Sequence, residues 1–173
     1  AMTAADAARY LASYQSAILA RLVAHVHAVE RLAALARRAA ATLAELGIDN
    51  VSFHVQDGTL GLPEQAPFDG IVCGAGGPEI PPSWIGQLAD GGRIVAPIGG
   101  EHSQTLVVVE RAGDQLRRRE LCDVRFVPLI GAQGWDADQG SSRTGPAAAA
   151  HGAGGIVRLL GETTEALATT GEP

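Results

Sequence analysis

Leu11, Tyr14, Ile18 and Leu22 recur at helical spacing, so the chain opens on a predicted amphipathic helix with this stripe toward a core. Thr3 can cap it, with Asp6 three residues on, and it should end near Ala24. His25–Glu30 places Val26 and Val29 among polar neighbours and reads as a short strand ending in an acid. Leu32 to Leu46 is again helical, rich in Ala and Arg, with Gly47 as its stop. Val51–Val55 is a second strand, followed by the turn-rich segment Asp57 to Pro63. Phe68–Cys73 is an apolar run opening into glycines, the pattern of a strand buried on both faces.

Gly74 to Pro82 reads as a loop, Ser83 to Leu88 as a short helix stopped by Asp90-Gly91-Gly92, and Arg93 to Pro97 as a strand. Gln104–Glu110 and Arg118–Val127 flank the short Gly113-Asp114 turn and predict an antiparallel hairpin. The order predicts an α/β fold, a parallel sheet with an antiparallel edge. This domain should occupy residues 1–135. Residues 136–155, rich in Gly, Ala and Ser without apolar period, read as a flexible linker. Ile156 to Leu167 predicts a short helix weakened by Gly161, before a disordered tail.

Composition narrows the function. At 173 residues one domain is expected, and all 13 basic residues are arginine, which excludes a Schiff-base or P-loop lysine. A net charge of -6 argues against a general nucleic-acid or anionic-membrane surface. Cys73 and Cys122 make neither a disulfide framework nor a metal spacing, so no metal is expected. No apolar run has membrane-spanning length, and no secretory signal is visible, so a cytoplasmic protein is expected. The leading Ala1-Met2 pair reads as a cloning remnant.

Several stretches, in order and spacing, resemble the protein-L-isoaspartate O-methyltransferase family. They include Tyr14-Gln15-Ser16-Ala17-Ile18-Leu19-Ala20, Val29-Glu30-Arg31, Asp57-Gly58-Thr59-Leu60-Gly61, Phe68-Asp69-Gly70-Ile71-Val72, Leu88-Ala89-Asp90-Gly91-Gly92-Arg93 and Phe126-Val127-Pro128-Leu129. The resemblance runs from about Ser13 to Trp135. It implies a Rossmann-like fold and transfer of a methyl group from S-adenosylmethionine (SAM) to the side-chain carboxylate of isoaspartate in a peptide or protein.

In such a sheet ligands sit beyond the carboxyl ends of the strands. By the resemblance, Glu30 accepts the ribose hydroxyls of SAM; by its position alone it is equally a solvated strand-end acid beside Arg31. By the same resemblance, Asp57 can take the adenine amino group while Gly58 admits the ring; an ordinary Asp-Gly turn is the plainer alternative. Gly74, Ala75 and Gly76 leave room for a peptide backbone and the transferred methyl group, or form a plain glycine loop. The catalytic residues are unassigned. His54 reads as a packed or edge histidine, Glu79, Glu101 and His102 as solvated, and Arg117-Arg118-Arg119 as a solvent-facing strand edge.

One part of the family's pattern is missing. Its sheet begins with a central strand that ends in a glycine-rich turn, which grips the methionine end of SAM. Here Arg9-Tyr10-Leu11-Ala12-Ser13 stand before Tyr14-Gln15, and no glycine precedes Gly47. The strands at His25–Glu30 and Phe68–Cys73 then flank a gap. They must pair with each other, accept a strand from another chain, or leave polar backbone groups unpaired at about 1–3 kcal/mol each. A homodimer made by strand exchange is one expected outcome. Losing two charge-assisted bonds would weaken SAM binding by roughly 10²–10⁴-fold. The reading is therefore a SAM-dependent carboxyl methyltransferase, with a truncated non-catalytic relative, a peptide-binding or dimerisation module, as its alternative. A nicotinamide-binding protein fits less well, because Gly74-Ala75-Gly76-Gly77-Pro78 fails the G-x-G-x-x-G pattern.

Overall fold

The structure, a computed structural model, describes residues 14–136 and 154–158. Helix α1 covers 14–22 of these, followed by β1 His25–Glu30, α2 Ala33–Glu45 and β2 Val51–Val55. Two single 3₁₀ turns, Gly58–Leu60 and Pro63–Gln65, lead to β3 Phe68–Cys73 and α3 Pro82–Gly86. The chain continues through β4 Leu88–Gly99, β5 Gln104–Ala112, β6 Gln115–Val124 and β7 Gly154–Arg158. The expected elements are present, with ends moved by a few residues. β4 starts five residues earlier than Arg93 because it pairs with β3 in two pieces, Phe68 with Leu88 and then Gly70 with Arg93, the intervening residues bulging out.

The seven strands lie in the order β2-β1-β7-β3-β4-β5-β6. β1 with β2, and β3 with β4, are parallel; β4, β5 and β6 form the antiparallel edge that the hairpin pattern predicts. The gap between β1 and β3 is closed in a way the sequence did not suggest. Those strands do not pair with each other. The chain's own β7 lies between them, antiparallel to both, with Val29 and Cys73 both opposite Gly154. Residues 156–158, expected to open a helix, are therefore strand, and so are the last two residues of the expected linker. Ladder pairing on two sides satisfies every residue of such a segment, which a lone helical turn cannot match. The rest of the linker and tail readings, and the Thr3 cap, fall on residues outside those described.

The main core gathers around Phe68, Ile71, Trp84, Leu88, Ile94 and Val107, each 2% exposed or less. A smaller cluster joins Ala20 and Val26 to Leu19, Val23, Ile48, Val51 and Val72. Here α1 corrects the expected stripe: Tyr14 and Leu22 are 58% and 67% exposed, while Ser16 and Ala20 are buried. Small side chains let the helix backbone approach closely, and Asn50 Nδ2 draws in its end by donating to the Ala20 and Val23 carbonyls at 2.8 and 3.1 Å. α2 buries Ala36, Ala39 and Leu43. It ends as the sequence indicates: Gly47 N–H donates to Ala44 O and Ile48 N–H to Leu43 O, at 3.0 and 2.9 Å.

Candidate functional site

The site lies at the carboxyl ends of β1, β2 and β3. β1 delivers Glu30 there, 3% exposed. Its Oε1 accepts the backbone N–H of Leu32 at 2.8 Å, just ahead of α2. Its Oε2 is buried and, among the described residues, has no hydrogen-bond partner. Burial pushes the carboxyl above its usual range, against the opposing pull of the Leu32 and Arg31 N–H groups and the Arg31 charge. A buried carboxylate oxygen without a donor is costly, so this atom has room for a hydrogen-bond donor. Of the two sequence readings for Glu30, the solvated acid is thus wrong about its surroundings.

β2 delivers Asp57 and Gly58. Asp57 Oδ1 accepts the N–H and the hydroxyl of Thr59 at 2.9 and 2.7 Å, which starts the first 3₁₀ turn. Its Oδ2 accepts the N–H of Ala132 at 2.7 Å. Burial raises this carboxyl, but the bonds from Ala132 and Thr59 and the Arg31 charge outweigh it and hold the group below the usual aspartate range. Gly58 packs near Val29, and its carbonyl accepts the Trp84 indole N–H at 2.8 Å.

The glycine loop after β3 is less open than the sequence suggests. Gly74 is half-buried, whereas Ala75 and Gly76 are buried. A Cβ on Gly76 would stand 2.8 Å from Gln104 Cδ, so close packing already requires this glycine. Gly76 N–H donates to Val127 O, and its carbonyl accepts Leu129 N–H, at 2.7 and 2.8 Å.

These contacts reveal an element that sequence reasoning missed. Residues 126–135 form a strap across the strand ends. The Trp135 indole N–H donates to Gly76 O at 2.9 Å, which ties the strap to the β3 loop. Ala132 ties it to Asp57, and Gln133 N–H donates to Thr59 Oγ1 at 3.1 Å. The Gln133 side chain accepts from Ser83 N–H and donates to Ser83 Oγ, at 3.1 and 2.7 Å, fixing it to α3. Phe126–Leu129 entered only through the family resemblance, with 125–127 expected to be strand although β6 ends at Val124, and the other local signal was Gln133 and Trp135 among glycines. Their partners lie 50 or more residues away.

Between strap and strand ends is a cavity of about 460 Å³, lined by Arg31, Gln56, Asp57, Ile130, Gly131, Ala132, Trp135 and Asp136. It is open to solvent rather than enclosed. Asp57 faces it, but Glu30, Gly58 and Gly74–Gly76 are not among its lining residues.

The other candidates are elsewhere. His54 Nε2 pairs with His27 Nδ1 at 3.0 Å, and burial lowers the His54 pKa, against a raising influence from Glu64. Arg117–Arg119 are exposed along β6. Cys73 is buried, its thiol pushed up to about 12 by desolvation. Among the described residues there is no metal-holding group of His, Cys, Asp and Glu. Nor is any described helix long and apolar enough to cross a membrane.

A model of the protein-L-isoaspartate(D-aspartate) O-methyltransferase family matches residues 12–134. The chain belongs to that family. A protein-L-isoaspartate O-methyltransferase of Roseiflexus castenholzii is 52% identical over 125 residues, which is 72% of this chain and 57% of that protein. One from Rhodopseudomonas palustris is 49% identical over 133 residues, 76% of this chain and 61% of that protein. The chain thus spans less than two thirds of the length of these relatives. A solved protein-L-isoaspartate O-methyltransferase superposes with TM-score 0.59 at 29% identity, over 67% of this chain and 37% of its own. A Plasmodium falciparum structure of the same description, in complex with S-adenosyl-L-homocysteine, gives 0.54 at 25% identity, over 61% and 52%. The Rossmann-like α/β reading stands.

Proposed function

We propose that the chain carries the SAM-binding portion of a protein carboxyl methyltransferase acting on isoaspartyl or aspartyl side chains in peptides. The observation that supports this most is the Glu30 carboxylate. Its Oε2 is buried without a donor at the end of β1, in a chain of this family. Two sugar hydroxyls supply what that oxygen lacks. The Asp57 carboxylate already accepts three bonds. A carboxylate has about four lone-pair sites, so one remains for an amino group. Gly58 lets a flat ring approach that turn, and Gly74, with the buried Ala75 and Gly76 behind it, forms the wall on the peptide side.

When bound, SAM supplies an electrophilic methyl group with a good leaving group. The chain's own work is then positioning. A peptide carboxylate is already nucleophilic, so no general base is required.

Calorimetric titration of the full chain with SAM tests the reading, with Glu30→Ala as control. Micromolar binding weakened at least tenfold by the substitution is expected. It should be accompanied by transfer of labelled methyl to an isoaspartyl peptide. No heat from folded protein at millimolar ligand would overturn the proposal.

A further inference from the structure

Three of the chain's five histidines stand together on β1 and β2. The ring centroids of His25 and His27 are 4.7 Å apart, and those of His27 and His54 5.2 Å. Two side-chain rungs cross between the strands. His27 Nδ1 and His54 Nε2 share a hydrogen bond at 3.0 Å, and His25 Nε2 bonds Ser52 Oγ at 3.0 Å. His27 is 7% exposed, with the Phe68 ring edge-on to it at 6.2 Å. Methyl transfer as described uses none of these rings. Their place along the strands gives them a task. Glu30 is three residues beyond His27, and Asp57 three beyond His54, about 10 Å along each strand. β1 is paired on both sides. β2 is the edge strand: among the described residues it pairs with β1 alone, and none of its five residues is fully buried. The ladder ends at Glu30 opposite Val55, and beyond it the Gln56 N–H reaches Glu30 O only at a long 3.3 Å. The Thr59 and Ala132 bonds orient the Asp57 carboxylate but do not fix β2 to β1.

We propose that His27 and His54 are positioning residues: their ring-to-ring hydrogen bond holds the Asp57 end of β2 against the Glu30 end of β1, and its loss in acid loosens the ligand site. The SAM-binding reading above supplies the ligand; the strand coupling does not depend on it. With both rings neutral, or with one proton added, one ring nitrogen donates and the other accepts. With both rings protonated, two N–H donors face each other and the bond is lost. Burial holds His54 below its ordinary 6.5, exposed Glu64 pulls it up, and His25 pushes it down. The folded chain therefore resists this proton as pH falls below 6.5, so the stability it forfeits is present above 6.5 and lost below it. The other elements around the pair add little charge. β3 brings Phe68, and α2 buries only Ala36, Ala39 and Leu43. β7 places Arg158 at the register position opposite His25. Side-chain pairs across strands stabilise pairing beyond the backbone ladder. That contribution weighs most on an edge strand, which has no second neighbour.

The first test needs no ligand. The full chain is titrated by NMR from about pH 7.5 to about pH 5.5, across the histidine range. The Thr59 and Ala132 amides, both bonded to Asp57, should shift in step with the His54 ring. Asp57 itself is held below the usual aspartate range, so it does not titrate there. His54→Gln keeps a donor and an acceptor for His27 but carries no proton equilibrium in this window, so the step should vanish from both amides. A step that survives in His54→Gln would overturn the proposal, and so would amides that stay still while the wild-type His54 ring titrates. The second test is calorimetry with SAM at the two ends of that range. Wild type should weaken in acid by about threefold to tenfold more than His54→Gln, the size set by one hydrogen bond. His54→Phe, which has no rung, should bind less tightly than His54→Gln at both pH values. Equal acid loss in wild type and His54→Gln would overturn the proposal, as would His54→Phe binding as tightly as His54→Gln. Absence of SAM binding by wild type at the upper pH would instead overturn the proposed function, and the amide titration then decides the coupling by itself.

Discussion

Gln104 offers the sharpest test of how the strap is held. It is 2% exposed at the start of β5. Its amide N–H₂ donates to Gly100 O at 2.6 Å, and its Oε1 accepts Phe126 N–H at 2.8 Å, where the strap begins. Gly76 packs against the same side chain. Gln104→Met keeps the volume and removes the donor and the acceptor of the side chain while leaving both backbone partners in place, so the loss is not a cavity effect. Two orphaned backbone groups cost about 1–3 kcal/mol each when buried. Partial solvent access lowers the sum to about 2–4 kcal/mol. For a domain of this size each kcal/mol shifts Tm by about 2–4 °C, so melting should fall by roughly 4–16 °C. Urea unfolding should show a lower midpoint at unchanged slope. A loss under about 0.5 kcal/mol at unchanged slope would mean that water replaces both bonds, and that the strap is held by Trp135, Gln133 and Asp57 instead.

Two further outcomes follow from the ionisable groups. The carboxyl of Glu30 is raised in the folded state above its ordinary 4.5. Its charge therefore costs stability above the folded pKa, and this cost fades as pH falls toward 4.5. Urea titrations from pH 7 to 4 should show wild type gaining on Glu30→Gln as pH drops; a gap that stays constant would refute the burial argument. Cys73 is buried with its thiol near 12, whereas Cys122 is exposed. A thiol reagent at neutral pH should label one cysteine in the native chain and two in denaturant, and two in native buffer would contradict the placement of β3.

Much of the fold is legible because its signals are local. Val26 and Val29 mark β1, the unbroken run Phe68–Cys73 marks a strand covered on both faces, and Gly113-Asp114 marks the β5–β6 turn. Glu30 is legible as the acid that ends its strand. That one of its oxygens is buried and unpaired is not, because desolvation depends on what covers the strand end. Asp57 is legible as a turn residue, yet Ala132, which holds its other oxygen, lies 75 positions along the chain. The α1 stripe misleads, because periodicity marks large apolar residues and close packing selected the small ones, Ser16 and Ala20.

The amino-acid sequence by itself determined the α/β alternation, the hairpin edge, the absence of lysine chemistry and the family. These rest on spacing within a few residues or on order along the chain. Only the tertiary structure decided what fills the middle of the sheet, which oxygen of Glu30 lacks a partner, and how the strap closes on Asp57 and Gly76. Each of these is a pairing between distant segments. A short run such as Gly154–Arg158 carries no local signal of its partner. It is a strand because β1 and β3 leave a row of unpaired backbone groups that it satisfies on both sides.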